Sequence, residues 1–343
     1  MNDTIEKRPL VVVTGIGGFL GRHVAASLLR QGFDVRGTVR ALNKTGEIEA
    51  GIRSAEGVGS GGQLTFAITD LLSDAGWHEA MKGADYVMHV ASPFPDRVPK
   101  DENELIKPAR DGALRVLKAA QQAGVRRVVL TSSIAAINYG AGRAPFTEAD
   151  WTDVDGPLAT PYYKSKTIAE RAAWTFAKAE GIELAVVNPG MILGPILGGD
   201  PGTSVGLIRG MMKGKYPAMP DFRVAVVDAR DVADAHVQAM IVPDAAGERF
   251  IAAGKAMSFK DIVAVLKTTH PAYAKKMPKF VLPNWLARLA ALFDPGVRLI
   301  LKELGRDATV SNEKARRVLG WQPRSETEAI RASAQSLIDA GRV

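Results

Sequence analysis

The sequence predicts an α/β fold, a doubly wound parallel sheet followed by a smaller, mostly helical C-terminal lobe. Three observations predict it. Short apolar, β-rich runs alternate with helical patterns from residue 10 to residue 190, as parallel βαβ units do. A glycine turn joins the first strand to the first helix. After Gly190 the alternation stops, and from about residue 255 the chain reads as helices separated by prolines. The chain has 343 residues, more than a single compact core usually holds.

In order, "LVVVTG" (10–15) reads as the first strand and "GRHVAASLLRQG" (21–32) as the amphipathic helix after it. "DVRGTV" (34–39), "LTFAITD" (64–70) and "YVMHVAS" (86–92) follow as strands. The helical pattern 102–124 contains Pro108, which should kink it or mark its true start. "VRRVVLTSS" (125–133), a helix over 161–179 and "ELAVVNPG" (183–190) complete the series. The stretch 191–222 is rich in Gly, Pro and Met. "VAVVDARDVADAHVQAM" (224–240) then reads as a strand entering a helix capped by Asp228 or Asp231. The expected organisation is a nucleotide-binding unit over 1–190, with 224–254 returning to it, and a substrate lobe from 191–223 and 255–343.

Composition excludes several classes. The 46% hydrophobic and 24% charged residues are those of a folded globular protein. Without cysteine there is no disulfide or thiolate metal site. The five histidines, 23, 78, 89, 236 and 270, show no metal-ligand spacing, so no metal is assigned. The N-terminal "MNDTIEKRPL" has no apolar core and no apolar run reaches the roughly 18 residues of a spanning helix, so a cytoplasmic location without a membrane span is expected. The net charge of +7 lies in the C-terminal part, where sixteen Lys/Arg face eight Asp/Glu from residue 251 onward. These charges are spread along helical patterns, which suits a solvated surface rather than a nucleic-acid site.

The glycine turn "TGIGGFLG" places Gly15, Gly18 and Gly21 between strand and helix, so that backbone at Phe19 and Leu20 can meet a pyrophosphate at a positive helix end. This is a dinucleotide site of the Rossmann type. An NAD-binding carboxylate belongs at the end of the second strand, but Asp34 begins that strand, and its far end, "GTVRALNK", offers Arg40 and Lys44. A guanidinium pairs a 2′-phosphate that a carboxylate would repel, so NADP(H) is the expected cofactor. Asp70 and Leu71 at the third strand's end, and Ala91 and Ser92 at the fourth's, lie on the expected cofactor path.

In "TPYYKSKTIAE" (160–170) two tyrosines and two lysines compete for one role. On a helix, Tyr162, Lys166, Ala169, Ala173 and Phe176 share a stripe that is small and apolar apart from its first two members. Tyr163, Thr167, Glu170 and Trp174 form the neighbouring mixed stripe, and Lys164 points elsewhere. An ammonium near a phenol favours the phenolate and is expected to lower its pKa toward neutrality, suiting it to give a proton to a carbonyl oxygen. Tyr162 and Lys166 are therefore the candidate pair. Ser132 and Ser133 emerge at the same strand edge, and either hydroxyl could hold the substrate oxygen.

Together "TGIGGFLG", "TSS" and "YYKSK" resemble the extended short-chain dehydrogenase/reductases. "GTVR", "HVASPFP", "VRRVVLTSS", "YYKSKTIAERAAW" and "SNEKARRVLGWQP" are most similar to their dihydroflavonol-4-reductase-like branch, which includes aldehyde and ketone reductases. The resemblance implies Ser133 as the carbonyl-orienting hydroxyl, Tyr162 as proton donor and Lys166 as the lysine that binds the nicotinamide ribose. It also implies Arg40 at the 2′-phosphate and Pro189 at the cofactor. Asn138 falls where plant flavonoid reductases carry a substrate-contacting Asn, though its flanks differ.

The expected function is NADPH-dependent reduction of bulky hydrophobic aldehydes or ketones by a monomer or homodimer. A cleft lined by Phe94, Pro95, Ile137, Asn138, Met191 and Ile192, with Met211, Met212, Tyr216, Met219 and Phe222 from the following loop, would favour such ligands. The alternatives are a nucleotide-sugar epimerase or dehydratase, a 3β-hydroxysteroid-type dehydrogenase, or a non-catalytic dinucleotide sensor. Against a dehydratase, Ile134, Ala135 and Ala136 stand where the acid pair would be.

Overall fold

The structure is a computed structural model and describes residues 8–59, 62–92, 101–292, 301 and 303–343. Strands β1 (Leu10–Thr14), β2 (Asp34–Val39), β3 (Leu64–Ile68), β4 (Tyr86–His89), β5 (Arg127–Thr131), β6 (Glu183–Pro189) and β10 (Arg249–Ala252) form one sheet in the order β10-β6-β5-β4-β1-β2-β3. Every pairing in it is parallel. The order doubles back at β1 and β4, the kind of switch point at whose carboxyl ends ligands bind in open α/β sheets.

Parallel strands are buried on both faces, and β1 shows why they read as continuous apolar runs. Val11 and Val13 pack on one side with helices α1 (Phe19–Arg30) and α7 (Ala229–Ile241). Val12 packs on the other with α4 (Asn103–Gln122) and α5 (Pro161–Glu180) through Val116, Ala120, Ala173 and Ala177. Helix α4 runs through Pro108 near its first turns, so the proline neither starts nor ends it.

Local chemistry sets several boundaries. The Thr160 side chain accepts from Tyr163 N to cap α5, Pro161 occupies its first turn, and Gly181 ends it at φ 69°. Asp228 caps α7 by accepting from Arg230 N. Asp231 instead pairs with Arg324, while its carbonyl accepts from Trp321 Nε1 at 2.8 Å.

Later segments of the chain build a separate hydrophobic core. Strands β7 (Met191–Leu193), β9 (Arg223–Asp228) and β11 (Ala256–Ser258) form a small sheet, and β8 (Ala218–Pro220) pairs with β12 (Phe280–Leu282). Helices α6 (Gly202–Met212) and α8 (Phe259–Thr269), with α9 (Asn284–Ala290) beyond β12, belong to this part of the chain. Two helices follow, α10 (Glu313–Leu319) and α11 (Glu326–Asp339). Two placements differ from expectation. Strand β9 joins the small sheet, and only β10 extends the large one. Ala315, Leu319 and Trp321 pack with α1 and α7, whereas α11 packs with α6 and α8.

Candidate active site

Gly15 turns the chain at φ 66°, and a Cβ there would stand 2.9 Å from Ala91 Cα. A Cβ on Gly21 would meet Gly15 O at 2.3 Å, so its absence lets α1 settle onto the end of β1. Gly18 is the N-cap, and neither a capping side chain nor an acidic residue occupies the first turn, which contains Phe19, Leu20 and Gly21. The backbone N–H groups and positive helix end therefore suit an anion. Arg40 and Lys44 are exposed just beyond the carboxyl end of β2, on the same edge. Asp34 lies at the opposite end and accepts from Gln63 N at 2.8 Å. This donor set fits a 2′-phosphorylated dinucleotide.

Asp70 and Leu71 lie just past the end of β3, and one Asp70 oxygen accepts from Leu72 N at 2.9 Å. Ala91 N donates to Thr14 Oγ1, which also hydrogen-bonds His89 Nδ1 at 2.9 Å. Pro189 is buried at the end of β6, opposite Ala252.

The chemistry-bearing side chains converge at the carboxyl ends of β4 and β5 and the first turns of α5. Tyr162 and Ser133 hydrogen-bond through their side chains. Lys166 Nζ donates to Ser92 Oγ at 2.9 Å and lies 5.9 Å from the Tyr162 ring centre. Burial lowers the Lys166 pKa to about 8, and Glu170 partly offsets this. The expectation that Lys166 brings the phenol toward neutrality is not met here. Burial pushes the Tyr162 pKa above its ordinary value, and the Ser133 hydrogen bond offsets only part of it.

The serines and tyrosines separate by their partners. Ser132 donates to Glu170 Oε2 at 2.5 Å inside the protein, leaving Ser133 as the hydroxyl on Tyr162. The Tyr163 hydroxyl donates to Glu303 Oε1 at 2.7 Å, and its ring stacks on Tyr139 at 3.8 Å. Burial, with Tyr139 and Glu303 nearby, raises the Tyr163 pKa. Lys164 pairs with Glu102 at 2.8 Å.

Chain segment 11–253 matches the family described as "NAD dependent epimerase/dehydratase family". The chain belongs to this family. Among its relatives are reductases. It is 37% identical to cinnamoyl-CoA reductase 1 of Petunia hybrida over 77% of this chain and 78% of that protein. It is 32% identical to dihydroflavonol 4-reductase of Zea mays over 78% and 76%. The crystal structure of the yeast methylglyoxal/isovaleraldehyde reductase Gre2 complexed with NADPH superposes with a TM-score of 0.78. That comparison has 25% identity and covers 97% of this chain and all of the other. The protein is thus an oxidoreductase-type member of the family, in the extended short-chain dehydrogenase/reductase group.

Several expected cleft residues lie elsewhere. Met211, Met212 and Met219 are buried in the separate core of the later segments, where a flexible thioether fills gaps between helices. The Tyr216 ring lies against Gly210, and Phe222 meets Phe259 edge-on at 4.7 Å. Asn138 is only 1% exposed, and its Nδ2 donates to Ala308 O at 3.2 Å, which places it beneath the surface of the site. Met191 is half-buried on β7. Phe94 and Pro95 lie outside the described residues. Open cavities of about 440 and 1040 Å³ include none of Ser133, Tyr162 and Lys166. Among the described residues no cluster of acids and histidines is arranged for a metal, and no helix is long and apolar enough to cross a membrane.

Sequence reading missed Glu170, Arg249, Asn188 and Glu303. The only local signal was an acid at i+4 from Lys166. Its burial depends on strands β6 and β10, which are distant in sequence.

Proposed function

We propose that the protein is an NADPH-dependent reductase of bulky hydrophobic aldehydes and ketones, with Ser133, Tyr162 and Lys166 as its catalytic residues. The carrying observation is the Ser133 and Tyr162 hydroxyl pair at the sheet's carboxyl edge, one helical turn from Lys166 and on the same edge as the glycine turn. Gly15, Gly18, Gly21 and the first turn of α1 would hold the pyrophosphate. Arg40 and Lys44 would hold the 2′-phosphate, and Lys166 a ribose hydroxyl. The names and titles of the relatives support the cofactor and a carbonyl substrate: one was crystallised with NADPH and is named for methylglyoxal and isovaleraldehyde, and others are named for cinnamoyl-CoA and dihydroflavonol.

When bound, NADPH supplies the hydride that adds to the carbonyl carbon. Ser133 donates a hydrogen bond to the carbonyl oxygen and stabilises the negative charge that grows there. Tyr162 remains protonated at neutral pH because burial disfavours its phenolate, and it gives that proton to the oxygen as the C–O π bond breaks. Lys166 places positive charge beside the phenolate this leaves. Hydride plus proton convert carbonyl to alcohol. Dehydratase chemistry is disfavoured by the short turn Ile134–Ala136, which contains no acid after β5.

The test sets an aryl ketone, a short polar aldehyde and a UDP-hexose side by side, following NADPH absorbance for the carbonyls and analysing products for the UDP-hexose, whose epimerisation or dehydration consumes no NADPH. The aryl ketone should be turned over fastest. Turnover of the UDP-hexose alone refutes the reading.

A further inference from the structure

Glu170 is completely buried one turn beyond Lys166, and four donors converge on its carboxylate. Ser132 Oγ donates to Oε2 at 2.5 Å and Asn188 Nδ2 to the same oxygen at 2.9 Å. Arg249 Nε donates to Oε1 at 2.5 Å, and Trp174 Nε1 approaches it at 3.3 Å. Three of these donors come from, or directly follow, β5, β6 and β10, which lie side by side in the sheet. Asn188 Nδ2 also donates to the carbonyl of Ser133 at 3.2 Å. Arg249 is held in turn by the carbonyls of Glu148 and Asp150, both at 2.9 Å, and its guanidinium lies 3.7 Å from the Trp151 ring centre.

A buried ion pair is a weak source of net stability, because desolvating both charges cancels much of their attraction. This one adjoins the Ser133 to Tyr162 contact through Ser132, the chain neighbour of Ser133, and ties both supports of that contact to a single carboxylate. The end of β5 is tied through Ser132 and Asn188, and α5 through Glu170 itself.

We propose that Glu170 is a positioning residue of the active site: it fixes the Ser133 backbone relative to Tyr162 and places negative charge one turn from Lys166. This rests on the reductase reading for its kinetic consequence. Among the described residues, the groups facing Lys166 are Ser92 and neutral His89 from the β4 end, with Tyr162 and Glu170 from its own helix. Burial and the Lys166 charge hold the His89 pKa at about 3, so its ring stays uncharged through the working range. Glu170 favours the ammonium form of Lys166, opposing the burial that lowers its pKa to about 8.

The experiment compares wild type, Glu170→Gln and Asn188→Ala. With a carbonyl that the wild type reduces, Glu170→Gln should lose about ten- to a hundredfold in kcat, the size expected when a reacting group is displaced by an ångström or less. KM and NADPH affinity should change less than about threefold, and the fall of kcat on the alkaline side should begin at lower pH than in wild type. Asn188→Ala removes the bridge to Ser133 but leaves the carboxylate, so kcat should fall with the alkaline limb unmoved. Should Glu170→Gln fail to fold, Asn188→Ala decides the point alone, and wild-type kcat in a folded Asn188→Ala protein overturns the proposal. Lys166 titration, followed by carbon-13 NMR of its Cε and assigned through Lys166→Met, reports independently of any substrate. A lower midpoint in Glu170→Gln supports the proposal, and an unchanged midpoint overturns it. A wild type that reduces no carbonyl would defeat the reductase reading while leaving this titration to judge Glu170.

Discussion

Replacing Gly21 by alanine puts a methyl group 2.3 Å from Gly15 O and 2.9 Å from Ile16 Cα, where ordinary contact begins at 3.4 Å. Both neighbours are backbone, so no rotamer change relieves the overlap. The first turn of α1 must retreat from the end of β1 by roughly an ångström, in a region buried on every side. Overpacking of this kind costs about 1–3 kcal/mol. For a chain of this length, an unfolding entropy of about 2.1 cal/mol/K per residue means roughly 1.4 °C of Tm per kcal/mol, so the expected fall is about 1–4 °C. The same retreat withdraws the N–H groups proposed to meet the pyrophosphate, so NADPH should bind about ten- to a hundredfold more weakly, a loss of roughly 1.4–2.8 kcal/mol. Gly206→Ala is the matched comparison. It lies inside α6 with nothing within 4 Å of the new Cβ and should stabilise by about 0.5–1 kcal/mol through helix propensity. Differential scanning fluorimetry and NADPH titration of both proteins check this. Unchanged Tm and NADPH affinity in Gly21→Ala would refute the packing argument.

Tyr162→Phe should lower kcat by about 10²- to 10⁴-fold while NADPH still binds. Tyr163→Phe should instead keep kcat within a few-fold and lose about 1.5–3 kcal/mol of stability with its hydrogen bond to Glu303; a dead Tyr163→Phe reverses the assignment. Arg40→Ala should shrink the preference for NADPH over NADH by roughly ten- to a hundredfold, as loss of a charge-assisted pair worth about 1.5–3 kcal/mol implies, and an unchanged ratio of kcat/KM values removes Arg40 from the site. Burial lowers the pKa of His23 and His236 to about 4 and of His89 to about 3. The unfolded chain therefore binds protons from about pH 6.5 downward that the folded one refuses until far lower pH. Stability from these groups is full above pH 6.5 and is lost as pH falls toward 4, so a Tm that stays level between pH 7 and pH 4.5 contradicts their neutral burial.

The glycine turn, the strand and helix alternation and the Tyr162 to Lys166 spacing were legible in the sequence because each is local. A turn that needs φ 66° at Gly15, or a helix that brings i and i+4 together, is set by a few neighbouring residues and backbone geometry. The place of Arg40 just past β2 was legible for the same reason, since it follows from the length of that strand, while its role at a 2′-phosphate is a proposal. Tertiary structure decided the questions that depend on partners remote in the chain. Ser132 and Ser133 are chemically alike, and what separates them is that one reaches Glu170 and the other Tyr162. Tyr163 is set apart from Tyr162 by Glu303, 140 positions away. Met211 and Met212 look like flexible pocket residues in sequence, yet α8 and α11 close over them and make them core. The upward shift of the Tyr162 pKa was likewise invisible, because spacing alone shows a nearby ammonium but not the loss of water around the phenol. That desolvation is set by packing of the whole sheet and helix assembly, and here it is the largest influence on the phenol, offset in part by the Ser133 hydrogen bond.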